Sequence, residues 1–192
     1  MRQLKSDDNA FTGLEAAIVL IAFVVVAAVF SYVVLGAGFF TTQKAQETVY
    51  KGVEQATSNI QVIGNVYGYG SGTTPTQINK VQLNIGLAPG APSLDLTKMI
   101  IVVSQPGTAT ITQLTYTSAA SPTTSAYIVT KSGTTTALPT LSGQDQGTVL
   151  IQLPAVLDKN NKINIELRPS VGAALPFTRS APATIESSQI LY

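Results

Sequence analysis

Glu15 stands alone as a carboxylate at the edge of a long apolar stretch, and no further charge appears until Lys44. An acidic side chain at the centre of a hydrocarbon layer costs about 2.5–3.5 kcal/mol, so Glu15 belongs at an interface or beside a cation. The later carboxylates Asp95, Asp145, Glu166 and Glu186 are scattered, and nothing in their spacing makes a dyad. Asp158, Asn160 and Asn161 fall in a turn-forming run that lacks calcium-loop spacing. Gly68-Tyr69-Gly70-Ser71-Gly72 is neither a phosphate loop nor a nucleophile elbow and reads as a flexible hinge. The chain contains no Cys and no His. That removes Ser-His-Asp and Cys-His catalysis, together with His- or Cys-ligated zinc, within one chain. The sequence therefore predicts no active site, no cofactor and no metal site, and the chain is not read as an enzyme.

The elements around Glu15 carry the information instead. From Ala16 to Phe40 the chain is apolar apart from Ser31 and Tyr32. As a helix this stretch rises about 37 Å, enough to cross a hydrocarbon core of about 30 Å. Val49, Val53, Ala56, Ile60 and Ile63 then continue an apolar stripe at helical spacing, with Lys44, Glu47, Lys51 and Glu54 on other faces. The expected element is one helix to about Ile63, longer than a domain of this size can cover. Its uncovered part lies in a membrane or against other copies of the chain. Ile18, Ile21, Val25, Val29, Tyr32, Phe39, Val49, Val53 and Ile60 are the positions expected to pack in a helical core.

Beyond Gly64 the character changes. Val81, Leu83 and Ile85 alternate with Gln82 and Asn84, and Ile163, Ile165 and Leu167 alternate with Asn164, Glu166 and Arg168. Such period-2 patterns predict half-buried strands. Met99 to Val103, Ala126 to Thr130 and Val149 to Leu153 read as more deeply buried ones. Lys159-Asn160-Asn161-Lys162 is expected to turn a hairpin. The fold class is α+β: a long N-terminal hydrophobic α-helix, then an all-β, Ig-like sandwich or barrel built from antiparallel strands. Only 11% of residues are charged and the net charge is +1, which argues against nucleic acid as a partner.

The junction Asn9-Ala10-Phe11-Thr12-Gly13-Leu14-Glu15 runs straight into the apolar stretch. From Phe11 through Thr41-Thr42-Gln43-Lys44 the sequence resembles the mature N-terminus of archaeal flagellins (archaellins) and, more distantly, type IV pilins. A looser likeness covers Glu166-Leu167-Arg168-Pro169-Ser170-Val171-Gly172-Ala173. The resemblance implies a leader over 1–10, removed between Ala10 and Phe11 by a membrane peptidase of the prepilin-peptidase type. It further implies a polymerising and transmembrane helix over 11–63 and an outer β-domain over 64–192. The helices would form the core of an extracellular filament, a homopolymer of archaellin subunits handled by an assembly platform and turned by a rotary motor for swimming. The precursor would wait in the cytoplasmic membrane.

Cleavage before Phe11 would create an α-amine four residues upstream of Glu15, on the same helical face. With a reference pKa near 7.7–8.0 that amine is largely charged at neutral pH and suits a carboxylate partner, in the same chain or a neighbouring one. Two rival readings remain at this level: an adhesive pilin of the same export route, and a single-pass membrane-anchored surface protein.

Overall fold

The computed structural model describes residues 8–72, 75–107 and 111–192, with side chains in the first helix from residue 13 onward. The leader positions 1–7 and the side chains of Ala10 and Phe11 lie outside the described residues. Two compact units are present, residues 1–50 and 51–192.

The first unit is helical throughout its described part. Helix α1 spans Asp8–Thr57, 50 residues and about 75 Å at 1.5 Å per residue. Its backbone is already helical at Asn9, Ala10 and Phe11, so the Ala10–Phe11 bond falls inside the first turns. The stretch from Leu14 to Phe40 is rich in Val, Ile, Leu, Phe and Ala and contains no Pro. A continuous apolar helix satisfies its backbone internally without asking anything of its surroundings. Thr hydroxyls are handled in the same way. Thr41 Oγ1 donates to the Ala37 carbonyl at 2.8 Å, Thr42 to Gly38 at 2.9 Å and Thr48 to Lys44 at 2.8 Å. Each returns its proton one turn back and needs no outside acceptor. Lys44 Nζ lies 2.8 Å from a Glu47 carboxylate oxygen, where the chain first becomes charged again.

The helix ends six residues before the expected Ile63. Thr57 Oγ1 bonds back to the Val53 carbonyl, and the Ser58 N–H closes the last turn on Glu54. Strand β1 then runs from Ile60 to Gly70. The apolar spacing of Ile60 and Ile63 fits a helical stripe, but Ile60 and Val62 also fit period 2, and pairing with the next strand decides between them. Ile60 sits opposite Leu87 and Val62 opposite Ile85. Ile60 and Ile63 are thus strand residues, and the boundary at Ile63 moves back to Thr57. The glycine-rich run is corrected too. Gly64, with φ 76°, falls within a register shift between Ile63 and Tyr67, while Gly68 to Gly70 are paired strand residues. This is a β-bulge followed by strand, not a hinge.

The β-domain continues with β2 (Ile78–Leu87), β3 (Leu94–Asp95), β4 (Ile100–Ser104), β5 (Ile111–Tyr116), β6 (Ala126–Lys131), β7 (Thr140–Leu141), β8 (Gln146–Leu157), β9 (Lys162–Arg168), β10 (Leu175–Ser180) and β11 (Ser188–Leu191). Nine of them form one sheet in the order β10-β9-β4-β5-β6-β8-β2-β1-β11, and β3 pairs with β7 apart from it. The two ends of the order meet where the Ser180 N–H donates to the Tyr192 carbonyl at 2.6 Å and the Tyr192 N–H returns the bond at 3.1 Å. The sheet is therefore a nearly closed barrel. One join departs from the antiparallel expectation: β5 and β6 pair in parallel through Thr115–Ala126 and Tyr116–Tyr127. The predicted hairpin also fails. β8 pairs with β2 and β6 while β9 pairs with β4 and β10, so the Asn160 turn carries the chain between different parts of the sheet. Asn160 itself has φ 59°, a left-handed value that Asn tolerates.

The core is where alternation placed it. Val81, Leu83, Ile85, Ile163, Ile165 and Leu167 are all buried, while Asn164 and Arg168 are exposed. Tyr127 is the largest fully buried side chain, and its hydroxyl lies 2.9 Å from the Leu96 carbonyl and 2.7 Å from that of Met99. Burial raises its phenol pKa well above the ordinary value, so it stays a donor. It thereby ties the 3₁₀ turn at Leu96–Lys98 to the core. Tyr127→Phe is expected to strand both carbonyls and lower the domain's stability by about 1–3 kcal/mol, read as a fall in the thermal midpoint of the full chain.

Candidate assembly surface

Four of the five acidic groups in the β-domain, Asp95, Asp145, Asp158 and Glu166, are occupied structurally. Asp95 accepts from the Thr97 hydroxyl at 2.6 Å and pairs with Lys98 at 3.1 Å, so these partners hold its carboxyl below the usual range. Glu166 is lowered in the same direction by Arg168 at 2.8 Å. Asp145 pairs with Lys131 at 3.2 Å, and Asp158 accepts from the Gln77 amide at 2.7 Å. Among the described residues no three acidic side chains converge as a metal site would require. These are local turns and surface pairs, spread around the barrel.

Helix α1 presents a different kind of surface. Seven of the expected core positions, Ile18, Ile21, Val25, Val29, Phe39, Val49 and Val53, expose between 55% and 65% of their area, and Tyr32 exposes 81%. Ile60 does not belong with them: at 5% exposure it is part of the barrel core. Those positions form one stripe, yet Phe23, Val26, Phe30 and Val33 on other faces are equally open. From Ala16 to Phe40 the helix is apolar all round. A helix with no polar face must be surrounded by apolar matter, either lipid or other helices. It is long and apolar enough to cross a membrane. Farther along, between Lys44 and Thr57, apolar Val49 and Val53 share their turns with Glu47, Lys51 and Glu54, so that part has a polar side. Glu15 is exposed at the start of the apolar region, in helical backbone continuous with Phe11.

The residue pattern over nearly the whole chain is shared. The sequence profile of archaeal-type flagellins matches residues 10–179. The chain belongs to that family. Probable flagellin 1 of Archaeoglobus fulgidus is 42% identical to it, over 100% of this chain and 98% of that relative. A solved structure of the archaeal flagellum of Methanospirillum hungatei strain JF1 superimposes with a TM-score of 0.71 at 35% identity, covering 94% of this chain and 99% of that one. A crystal structure of an archaeal flagellin from Methanocaldococcus jannaschii shares the fold, with a TM-score of 0.57 at 17% identity over 70% of this chain. The fold of this flagellin-family chain, one long helix followed by a nearly closed β-domain, matches the Methanospirillum structure over nearly its whole length.

The second, looser stretch of likeness has a structural reason of its own. Pro169 to Ala173 follow β9 and carry Gly172, whose φ is 100°. A Cβ there would overlap the Ser58 carbonyl, directly at the point where α1 gives way to β1. Gly172 therefore lets the domain close around the helix exit. Sequence reasoning passed over it because no local pattern relates residue 58 to residue 172.

Proposed function

We propose that this chain is the structural subunit of an archaeal flagellum filament, assembled through α1, and that it performs no catalysis. The observation that carries this is the apolar, unpaired surface of α1. Burying roughly fifteen large apolar side chains at about 1.5–3 kcal/mol each yields a gross gain of tens of kcal/mol per subunit. That exceeds the ordering and association costs and permits a polymer without covalent links. The same surface explains a precursor held in the cytoplasmic membrane, since nothing else in the cell matches an all-apolar helix. Removal of a leader between Ala10 and Phe11, by a peptidase of the prepilin-peptidase type, would release the helix. The family likeness beginning at residue 10 supports this position. The new amine and Glu15 then lie one helical turn apart and neutralise each other as the helix enters the filament core, in one chain or between two. An assembly platform draws the helices into a bundle outside the cell, with the β-domains outward, and a motor turns the finished filament.

The test is N-terminal sequencing or intact mass of material sheared from cells. The expected result is an extracellular fibre whose subunits begin at Phe11. An unprocessed chain that stays in detergent-extracted membranes would overturn the reading.

A further inference from the structure

The barrel has a seam. Its terminal strands meet only through Ser180 and Tyr192 among the described residues, because β11 pairs with β1 over Val66 to Tyr69 and leaves the first part of β1 with a free edge. Strand β10 is likewise paired on one side, to β9. Between these edges lies a groove of about 390 Å³ lined by Ile60, Gln61, Val62, Leu175, Phe177 and Arg179. Its floor continues the barrel core, since Val62, Leu175 and Phe177 pack against it. Arg179 is half-buried and holds its guanidinium 5.6 Å from the Phe177 ring centroid. It donates to the Thr178 carbonyl and has no carboxylate partner among the described residues. An apolar groove bounded by free strand edges is a feature that folded proteins usually cover.

The same chain carries a surface of matching character. On α1, Val49 and Val53 stand one turn apart, beside the column Tyr50 and Glu54. Val49, Tyr50 and Val53 expose 63%, 74% and 56% of their area. Glu54 is exposed, and its carboxylate makes no ion pair among the described residues, whereas Glu47 is engaged. Val49, Tyr50, Val53 and the Glu54 carboxylate face the solvent here, and four apolar side chains, Gln61 and a guanidinium without a carboxylate partner line the groove. The groove has room for a few side chains rather than for another strand, which suits a helix face.

We propose that in the filament the seam groove of one subunit receives the Val49–Glu54 face of α1 from a neighbouring subunit, with Glu54 paired to Arg179. The contact rests on the filament reading above. It extends the helix-to-helix interface outward, so that each β-domain is clamped onto a neighbour's helix where the fully apolar stretch has ended.

The absence of cysteine makes the test clean. In filaments of the Val53→Cys/Phe177→Cys double variant, mild oxidation is expected to produce a ladder of dimers and higher multimers on non-reducing gels. A monomer band alone, with or without an internal disulfide, overturns the inference while leaving the filament reading intact. If wild-type cells make no filament at all, it is the filament reading that falls. Should the cysteine variant not assemble, the charge pair decides. Glu54→Arg alone is expected to lower the yield of sheared filaments at least tenfold, and adding Arg179→Glu to restore it to within about twofold of wild type. Failure of the second substitution to rescue the first overturns the contact.

Discussion

Cells carrying Val29→Asp are expected to shed no filaments. Val29 lies near the middle of the Ala16–Phe40 stretch and exposes 60% of its area in the single chain. A carboxylate there meets two obstacles in turn. In the proposed membrane-held precursor the helix would hold it near the bilayer centre at about 2.5–3.5 kcal/mol, a factor of roughly a hundred in an equilibrium. In the filament it would be buried with no cation available, because no basic side chain lies between Lys5 and Lys44, and the α-amine that the proposed cleavage would create lies near Glu15 instead. An unpaired buried charge is among the most destabilising changes a protein interface can carry. Immunoblots should find the variant absent from the sheared fraction, retained or degraded in the cell. Val29→Ile, which keeps the surface apolar, should shed filaments as usual. Normal filaments from the Asp variant would show that this face of α1 is not in the core.

Gly172→Ala is expected to destabilise the β-domain by at least about 3 kcal/mol, lowering its thermal midpoint by roughly 10 °C. Two effects add. The backbone at φ 100° disfavours any side chain, and the new Cβ would collide with the backbone carbonyl of Ser58, which cannot swing aside as a flexible side chain would. Gly133→Ala separates these terms. Gly133 also has a positive φ, 78°, but a Cβ there meets open space. Its variant should lose only the conformational part, about 1–2 kcal/mol. Circular dichroism melting of both variants against wild type measures the difference. Equal losses would mean that the approach to Ser58 is not a constraint on the fold.

Much of this protein was determined locally. The all-apolar helix follows from an uncharged stretch of Val, Ile, Ala and Phe, since no other backbone form satisfies its own hydrogen bonds without water. The period-2 runs of β2 and β9 face the core as their alternation requires, and the junction before Glu15 carried the family likeness. Asp95 and Glu166, whose spacing builds no dyad, are paired locally with Thr97, Lys98 and Arg168.

Tertiary structure decided what local spacing left degenerate. Ile60 and Ile63 satisfy a helical stripe, yet they became strand because Leu87 and Asn84 of β2 were available to pair and the barrel needed Ile60 in its core. The start of the glycine-rich run became the end of β1 because Gly68 and Tyr69 pair with Gln189 and Ser188, at the far end of the chain. The parallel β5–β6 join and the crossing turn at Asn160 arise from closing the sheet, a constraint on the whole barrel that no short window contains. The same holds for Gly172 and for the groove at Arg179. Each exists only where segments more than a hundred residues apart are brought together, by β1 and β10 for the groove and by Ser58 for the glycine. The helix that carries Glu15 was legible because its apolar run is unbroken; where that helix ends was not, because long-range pairing ends it.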